Sequence, residues 1–411
     1  MKVNLPSSSR SSDLPIVIAG GGIAGLSAAL ALGLKGFPVQ LLEQADQIGA
    51  IGYGVQMGPN VIPMLKALGI EQAVLDASYF PPEVDLLDAY TAETLTHLPV
   101  KSAAYQARFQ GHPYLAIHRV DLHEVLLKAC EQLSHVHLNQ STLVVDYEQE
   151  GSHVEVKGSE GQVFKASALL AADGLRSKLR AKMHPGDAPR ESGYVAHRAL
   201  IPMSELPHAL SARAGVSMWT GEGFHVIYYP LRQASVLNVV LVVKLPQGIQ
   251  EVSDQAYADH IELIKSQVSA PARLAMGLVD LKRRWSIADR EPIRHWSDKR
   301  VTLVGDSAHA TLQSFAQGAC MAMEDSVVLA ELLDQAQGDI EGAFKRFEQK
   351  RFLRTARVQL QSRALWEDFH CSGALAQVRT ARFTERTSED FFRCLDWLWT
   401  PIDASSQGRE D

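Results

Sequence analysis

"PIVIAGGGIAGLSAALALGLKGFPVQLLEQ" occupies Pro15–Gln44. It reads as a strand, a glycine turn, a helix and a second strand. Gly20-x-Gly22-x-x-Gly25 follows the first apolar run and opens the helix, and Glu43 closes the next strand eighteen residues after Gly25. This is a dinucleotide-binding fingerprint in the context it requires. Gly20 permits the tight turn, Gly22 lets a pyrophosphate approach the backbone, and Gly25 lets helix pack on strand. The helix N-terminus attracts phosphate, and Glu43 can accept from ribose hydroxyls. The helix is apolar on almost every face, which predicts cover on both sides. The fingerprint alone does not separate FAD from NAD.

Two further strand ends carry the same kind of punctuation. "ADGLRSKLR" places Asp173, Gly174, Arg176 and Ser177 after a short apolar run, and "VGDSAH" places Gly305 and Asp306 after another. Each alone is also what an ordinary capped turn looks like. With the fingerprint they describe one long ligand held at separated points, and FAD is such a ligand. From Gly305 the chain spends about a dozen residues before a helix opens near Gly318, where an ordinary connection needs only a few. That stretch is expected to wall a cavity, with the helix end aimed at the flavin ring. Arg119, after the strand "YLAIH", is a further candidate cofactor contact. Asp121 and Glu124 fit the N-cap and N3 positions of a capping box for the helix that follows. No second complete G-x-G-x-x-G occurs, since "GEGFHV" at 221–226 fails at its last position.

The chain has 411 residues, enough for two or three domains. An apolar fraction of 46%, a charged fraction of 21% and a net charge of −7 describe a soluble globular protein and disfavour a general nucleic-acid binder. Cys130, Cys320, Cys371 and Cys394 are scattered, with no C-x-x-C pair. No disulfide framework, metal site or redox dithiol is indicated, and a reducing, cytoplasmic setting fits. The polar start "MKVNLPSSSRSS" lacks the apolar core of a signal peptide, residues 1–13 are expected to lack order, and no run is long enough to span a membrane.

Taken together, these residues resemble the single-component FAD-dependent aromatic hydroxylases, the family of p-hydroxybenzoate and salicylate hydroxylases. The resemblance covers nearly the whole chain. It rests on the fingerprint, Arg119 with "DLHEVL", the Asp173-Gly174 turn and Gly305-Asp306. "LLDAYTAETL", "HPYLAIHRVDLH", "FHVIYYPLR", "LQSFAQGACMAMED" and "DWLW" narrow it to the members that act on 3-hydroxybenzoate. The resemblance implies an α/β fold: a Rossmann-like FAD-binding domain of the p-hydroxybenzoate hydroxylase type, an inserted antiparallel β-sheet substrate domain, and a helical C-terminal tail. The expected segments are 1–85, 114–184 and 295–350 for the FAD domain, 86–113 and 185–294 for the substrate domain, and 351–411 for the tail.

It further implies tightly bound FAD, transient NADH, molecular oxygen, a small aromatic carboxylic acid as substrate, and often a homodimer. The implied reaction is hydroxylation of 3-hydroxybenzoate para to its hydroxyl, giving gentisate through a C4a-hydroperoxyflavin. Salicylate 1-hydroxylation, hydroxynicotinate hydroxylation and a flavin reductase or binding protein that inserts no oxygen remain alternatives.

Such a reaction needs a base for the phenolic proton and donors for the carboxylate, and histidine suits the first task. On a strand, His225, Ile227 and Tyr229 of "FHVIYYP" share one face, with His225 and Tyr229 roughly 13 Å apart along the backbone. The resemblance assigns phenol activation to His225 and Gln313 and substrate binding to Tyr229, with Tyr114 and Asp88 nearby. Gly20, Gly22, Gly25, Glu43, Arg119, Asp173, Gly305, Asp306 and Gly318 are the expected cofactor residues. His309 follows a position tied to cofactor geometry, although this chain reads His309-Ala310 where relatives read His-Pro. Trp397 and Trp399 are expected to pack the tail.

Overall fold

The computed structural model describes residues 14–49, 52–246 and 252–402, so the expected disorder of 1–13 lies outside the described residues. The opening stretch folds as read: β1 (Ile16–Ala19), a helix (Ile23–Leu34) and β2 (Val39–Leu42). Gly25 to Gly33 of the helix are buried, because it lies between the sheet and the Gly318–Gln335 helix. The chain continues through β3 (Gly54–Met57), β4 (Val84–Asp88), β5 (Thr94–Leu98), β6 (Leu115–His118), a helix (Arg119–Glu131) and β7 (Val136–Asn139). β8 (Val144–Glu150), β9 (His153–Gly158) and β10 (Val163–Ala166) form a small antiparallel sheet, followed by β11 (Ala168–Ala171). Next come β12 (Arg190–Pro202), β13 (Val216–Gly221), β14 (Phe224–Leu231), β15 (Val236–Lys244), β16 (Trp285–Asp289), β17 (Ser297–Asp298) and β18 (Val301–Leu303). The remainder is helical, in long segments Gly318–Gln335, Ile340–His370, Gly373–Thr384 and Ser388–Trp399.

Two large sheets organise the molecule. The first runs β17-β18-β11-β1-β2-β7 and is parallel except at β17. Its central strands β1, β11 and β18 are wholly buried, as expected of a sheet covered on both faces. The order β18-β11-β1-β2 sets four carboxyl ends side by side, so turns from residues 20, 43, 173 and 305 share one crest.

The second sheet runs β16-β12-β15-β14-β13-β4-β5. The sequence predicts an antiparallel sheet here, and one pairing departs from it: β4 lies parallel to β13. The reason is connectivity, because the β4–β5 hairpin arrives from a distant part of the chain and joins the edge that β13 leaves open. Phe224, Val226 and Tyr228 face a core built with Tyr257, Ile261 and Ala272 from the helices beneath.

The other face is set by register. Ala196, Val242, His225, Thr220 and Asp88 form one cross-strand row, and Arg198, Val240, Ile227, Met218 and Leu86 the next. Leu200, Asn238 and Tyr229 begin a third. Directly paired residues point to the same side of a sheet, so the three rows share one surface.

One local expectation fails. Asp121 and Glu124 form no capping box. β6 runs straight into the helix, which starts at Arg119, and the His118 ring accepts from the Val120 amide at its N-cap. Asp121 instead pairs outward with Arg232, and Glu124 with Lys128. The tail packs as predicted: Trp399 stands edge-on to Tyr105 and Phe109, and Trp397 to Phe315.

Candidate active site

The crest of the first sheet is shaped for a phosphate-bearing ligand. Gly20 sits at φ +109°, and a Cβ there would lie 2.5 Å from the Ala172 carbonyl oxygen. A Cβ at Gly25 would lie 1.9 Å from the Gly20 carbonyl oxygen, so the helix start and the turn touch backbone to backbone. Gly22, at the N-cap, faces nothing within 4 Å. Glu43 accepts from the Gly21 amide at 2.6 Å and from Ala45 at 2.9 Å, and His123 Nε2 lies 2.8 Å from the Gly21 carbonyl oxygen. The loop is therefore held from both sides while Gly22 at its centre borders open space.

The other anchors converge there. Gly305 adopts φ +62°, and a Cβ on it would lie 2.6 Å from Ala24 of the first helix. Asp306 is exposed, yet burial by surrounding protein pushes its carboxyl pKa up, opposed by His309 and Arg119. An exposed carboxylate enclosed by protein is the wall of a cleft. Asp173 accepts from the Lys178 and Leu179 amides through one oxygen, while its other carboxylate oxygen is buried without a partner. Gly318 opens an 18-residue helix with no side-chain cap and no acid in its first turn, and it too faces nothing within 4 Å. Arg119 is exposed beside this crest, and its backbone amide donates to the Tyr53 carbonyl at 2.9 Å. The open amides, the uncapped helix end and the orphaned oxygen fit an FAD molecule held at its pyrophosphate, ribityl chain and ring.

His309 does not face the cleft. Its Nε2 lies 2.6 Å from Asp325, which also accepts from the Gly305 amide at 3.0 Å and from Arg351 at 2.7 Å. Burial opposes ionisation of Asp325, but His309 and Arg351 outweigh it and hold the carboxyl below its ordinary range. This buried cluster fixes the Gly305–Asp306 turn.

The second sheet's face carries the expected pocket residues. Tyr114 donates to Gln56 Oε1 at 2.7 Å, and Gln56 also bonds Tyr229, so β3 bridges the two tyrosines. Burial pushes the Tyr229 hydroxyl pKa up to about 12 and also holds that of Tyr114 well above its ordinary value, so both remain protonated. Arg198, in the adjacent row, donates to Gln313 Oε1 at 3.3 Å and lies 5.6 Å from the Tyr53 ring centroid. No carboxylate among the described residues pairs with it. Leu312 packs with Ile227 and Trp366, which brings Gln313 over the middle row.

His225 lies one row further along, 3% exposed, against Trp366, Phe369 and His370. Burial and then His370 hold its pKa well below the ordinary histidine value, so the ring is neutral. Asp88 shares the His225 row, but its carboxylate accepts from the Tyr90 and Thr91 amides and caps the β4–β5 turn.

Gln56, Arg198, Asp325 and His370 are absent from the sequence reading. Arg198 had a usable signal, a cation in the middle of the apolar strand "YVAHRALI"; the other three had none. A surface cavity of about 660 Å³ lies elsewhere, beside β7 among Gln40, Glu131 and His137.

A family model described as an FAD binding domain matches residues 13–353. A protein of Polaromonas naphthalenivorans (strain CJ2) named 3-hydroxybenzoate 6-hydroxylase is 39% identical, over 95% of this chain and 97% of its own. One of the same name from Klebsiella oxytoca is 36% identical, over 93% and 96%. The crystal structure of Klebsiella pneumoniae HpxO complexed with FAD and uric acid superposes with a TM-score of 0.82 at 26% identity, covering 94% of this chain and 97% of that one. The fingerprint crest, the second sheet laid against it and these likenesses place the chain in the family of FAD-dependent aromatic hydroxylases, monooxygenases with FAD as cofactor.

Proposed function

We propose that this chain hydroxylates 3-hydroxybenzoate para to its hydroxyl group, giving gentisate, with NADH as the reductant. The observation that carries the reading is one sheet face on which Tyr229, Arg198 without a carboxylate partner and a neutral His225 lie in adjacent rows, with Gln313 bonded to Arg198 and Tyr114 joined to Tyr229 through Gln56. The names of the relatives that cover nearly the whole chain support the same substrate.

Bound FAD supplies the oxidation of NADH and the activation of molecular oxygen. Gly20, Gly22, Gly25, Glu43, Arg119, Asp173, Gly305, Asp306 and the Gly318 helix end hold it. The chain's own residues position and polarise the aromatic acid. Tyr229 donates to the substrate carboxylate, Tyr114 holds Gln56 beside it, and Arg198 supplies the positive charge. Gln313 bonds the phenolic oxygen. His225 Nε2 takes the phenolic proton, which leaves the electron pair on oxygen and enriches the ring carbon para to it. Ile227, Leu312 and Trp366 exclude water along this path. Asp88 acts from the rim, through the turn it caps.

The enzyme works as a homodimer in the cytoplasm. Leu353 and Leu360, seven residues apart on one helix and 74% and 51% exposed, support the first statement, and four unpaired cysteines support the second. No helix among the described residues is long and apolar enough to cross a membrane.

The test is NADH oxidation against a panel of hydroxybenzoates and hydroxynicotinates, with products identified by chromatography. Gentisate from 3-hydroxybenzoate is the expected result. Catechol with CO2 from salicylate, or hydrogen peroxide as the only product, would overturn it. His225→Ala should keep FAD and bind the acid, while hydroxylation falls about 10²–10⁴-fold and oxidised NADH ends as peroxide.

A further inference from the structure

We infer that His370, at the end of the Ile340–His370 helix, is a positioning residue that presets the proton on His225. The inference rests on the reading of His225 as the phenol's base. His225 Nδ1 and His370 Nε2 lie 2.7 Å apart, with both residues buried, 3% and 6% exposed. Two neutral imidazoles joined nitrogen to nitrogen share one proton, and its owner decides what His225 presents at its far end. If His225 donates from Nδ1, its Nε2 is bare and can accept a phenolic proton. If His370 donates, His225 Nε2 already carries hydrogen and cannot.

The surroundings favour the first arrangement. His370 Nδ1 makes no direct hydrogen bond of good geometry, but the Trp366 carbonyl one helical turn back favours a proton on the ring. A carbonyl interacts favourably only with N–H, and with Nε2 turned to His225 at 2.7 Å this favours the tautomer with hydrogen on Nδ1 and Nε2 as the acceptor. Tyr194 from β12 and Trp366 close around His370, at centroid distances of 4.6 Å each. Lys244 of β15 disfavours a full positive charge on His370, and Glu367 acts on Tyr194. The pair therefore rests neutral. In the step itself the substrate O–H breaks and a His225 Nε2–H forms. The charge gained is shared through the Nδ1–H to His370, and the electron pair stays on the phenolate oxygen.

The sequence alone gave His370 no rank, because 145 residues separate it from His225. The fold joins them by running one 31-residue helix from the cofactor turn to the pocket. Arg351 on this helix holds Asp325, and Trp366 and His370 on the same helix hold His225.

Three variants of the holoenzyme test this: His225→Gln, His370→Gln and His370→Phe. Glutamine keeps an acceptor within reach of His225, whereas phenylalanine keeps only the packing. The readouts are the ultraviolet difference spectrum of bound 3-hydroxybenzoate against pH without oxygen, which reports phenol ionisation, and the gentisate formed per NADH. In His370→Phe the bound phenol should ionise about tenfold less readily, with a matching loss of hydroxylation rate, and His370→Gln should stay within about threefold of the parent. A packing role would reverse that order. If His370→Phe matches the parent while His225→Gln is impaired, His370 only packs and the base reading stands. If His225→Gln also matches the parent, the base reading fails and this inference with it. Should His370→Phe lose flavin, the nitrogen-15 spectrum of the parent's histidines decides: His225 protonated at Nδ1 supports the inference, and at Nε2 overturns it.

Discussion

Gly22 and Gly25 are three residues apart and would answer a methyl group in opposite ways. At Gly25 the new Cβ would lie 1.9 Å from a backbone oxygen that cannot turn away. Gly25→Ala should therefore cost about 1–3 kcal/mol or more, with or without flavin. At Gly22 the Cβ meets nothing, so Gly22→Ala should leave the apoprotein within about 1 kcal/mol of the parent. Flavin content should fall all the same, on the proposal that this space takes the pyrophosphate. Absorbance at the flavin band together with thermal melts separates the two, and full occupancy in Gly22→Ala would refute the placement. Tyr229→Phe tests a different part. It removes one donor but keeps the ring against Gly54 and the Gln56 bridge to Tyr114. Substrate affinity should weaken by about 0.5–1.5 kcal/mol, roughly two- to twelvefold, with little change in gentisate per NADH. An equilibrium titration of flavin fluorescence measures it.

Elements show where the sequence is legible and where it stops. β14 could be read directly, because successive side chains on any strand point to opposite faces, and His225, Ile227 and Tyr229 do share a face. The glycine turns could be read because their conformations exclude other residues. The parallel β4–β13 pairing and the Gln56 bridge could not, since both depend on strands more than fifty residues away in the chain. The cluster around the Gly318–Gln335 helix was equally hidden. "MEDS" gives no hint that Glu324 and Asp325 would both be fully buried and matched by Arg351 and Arg354.

This cluster predicts a measurable cost. Asp325→Asn leaves Arg351 undercompensated and loosens the Gly305 turn, and breaking a buried pair typically costs about 3–5 kcal/mol. Both carboxyls are held below their ordinary values, so their contribution is full above the unfolded carboxyl pKa of about 4 and is lost as pH falls through the depressed folded values. The variant should melt lower at pH 7, hold flavin more weakly, and lose less on acidification below pH 4 than the parent. An unchanged melting point at pH 7 would show that the pair contributes little.

Across the whole molecule, the two sheets answer acid differently. The first is tied at its crest by the Glu324–Asp325 cluster. The second buries His197, His225 and His370, all with pKa values lowered by burial, that of His370 to about 3. The sign follows from linkage. Each histidine is held neutral in the folded state and titrates near 6.5 when unfolded. Its contribution is therefore complete above about pH 6.5 and is lost as pH falls from there toward the folded value. Each such group adds a slope of at most about 1.4 kcal/mol per pH unit between its unfolded and folded values. Acid loss should thus come in two stages: a fall in the thermal midpoint between about pH 6.5 and 5, before the carboxylates begin to titrate near 4. Tryptophan fluorescence can localise it, since Trp219, Trp285 and Trp366 belong to the second sheet and its cover while Trp296 sits in the first core. Replacing both His225 and His370 with glutamine should lessen the first-stage slope, leaving His197, His112 and His118, whose values burial also lowers. A parent midpoint that stays flat from pH 7 to 5 would mean that these rings take up protons in the folded state. A neutral His225 could then no longer serve as the premise for taking the phenolic proton.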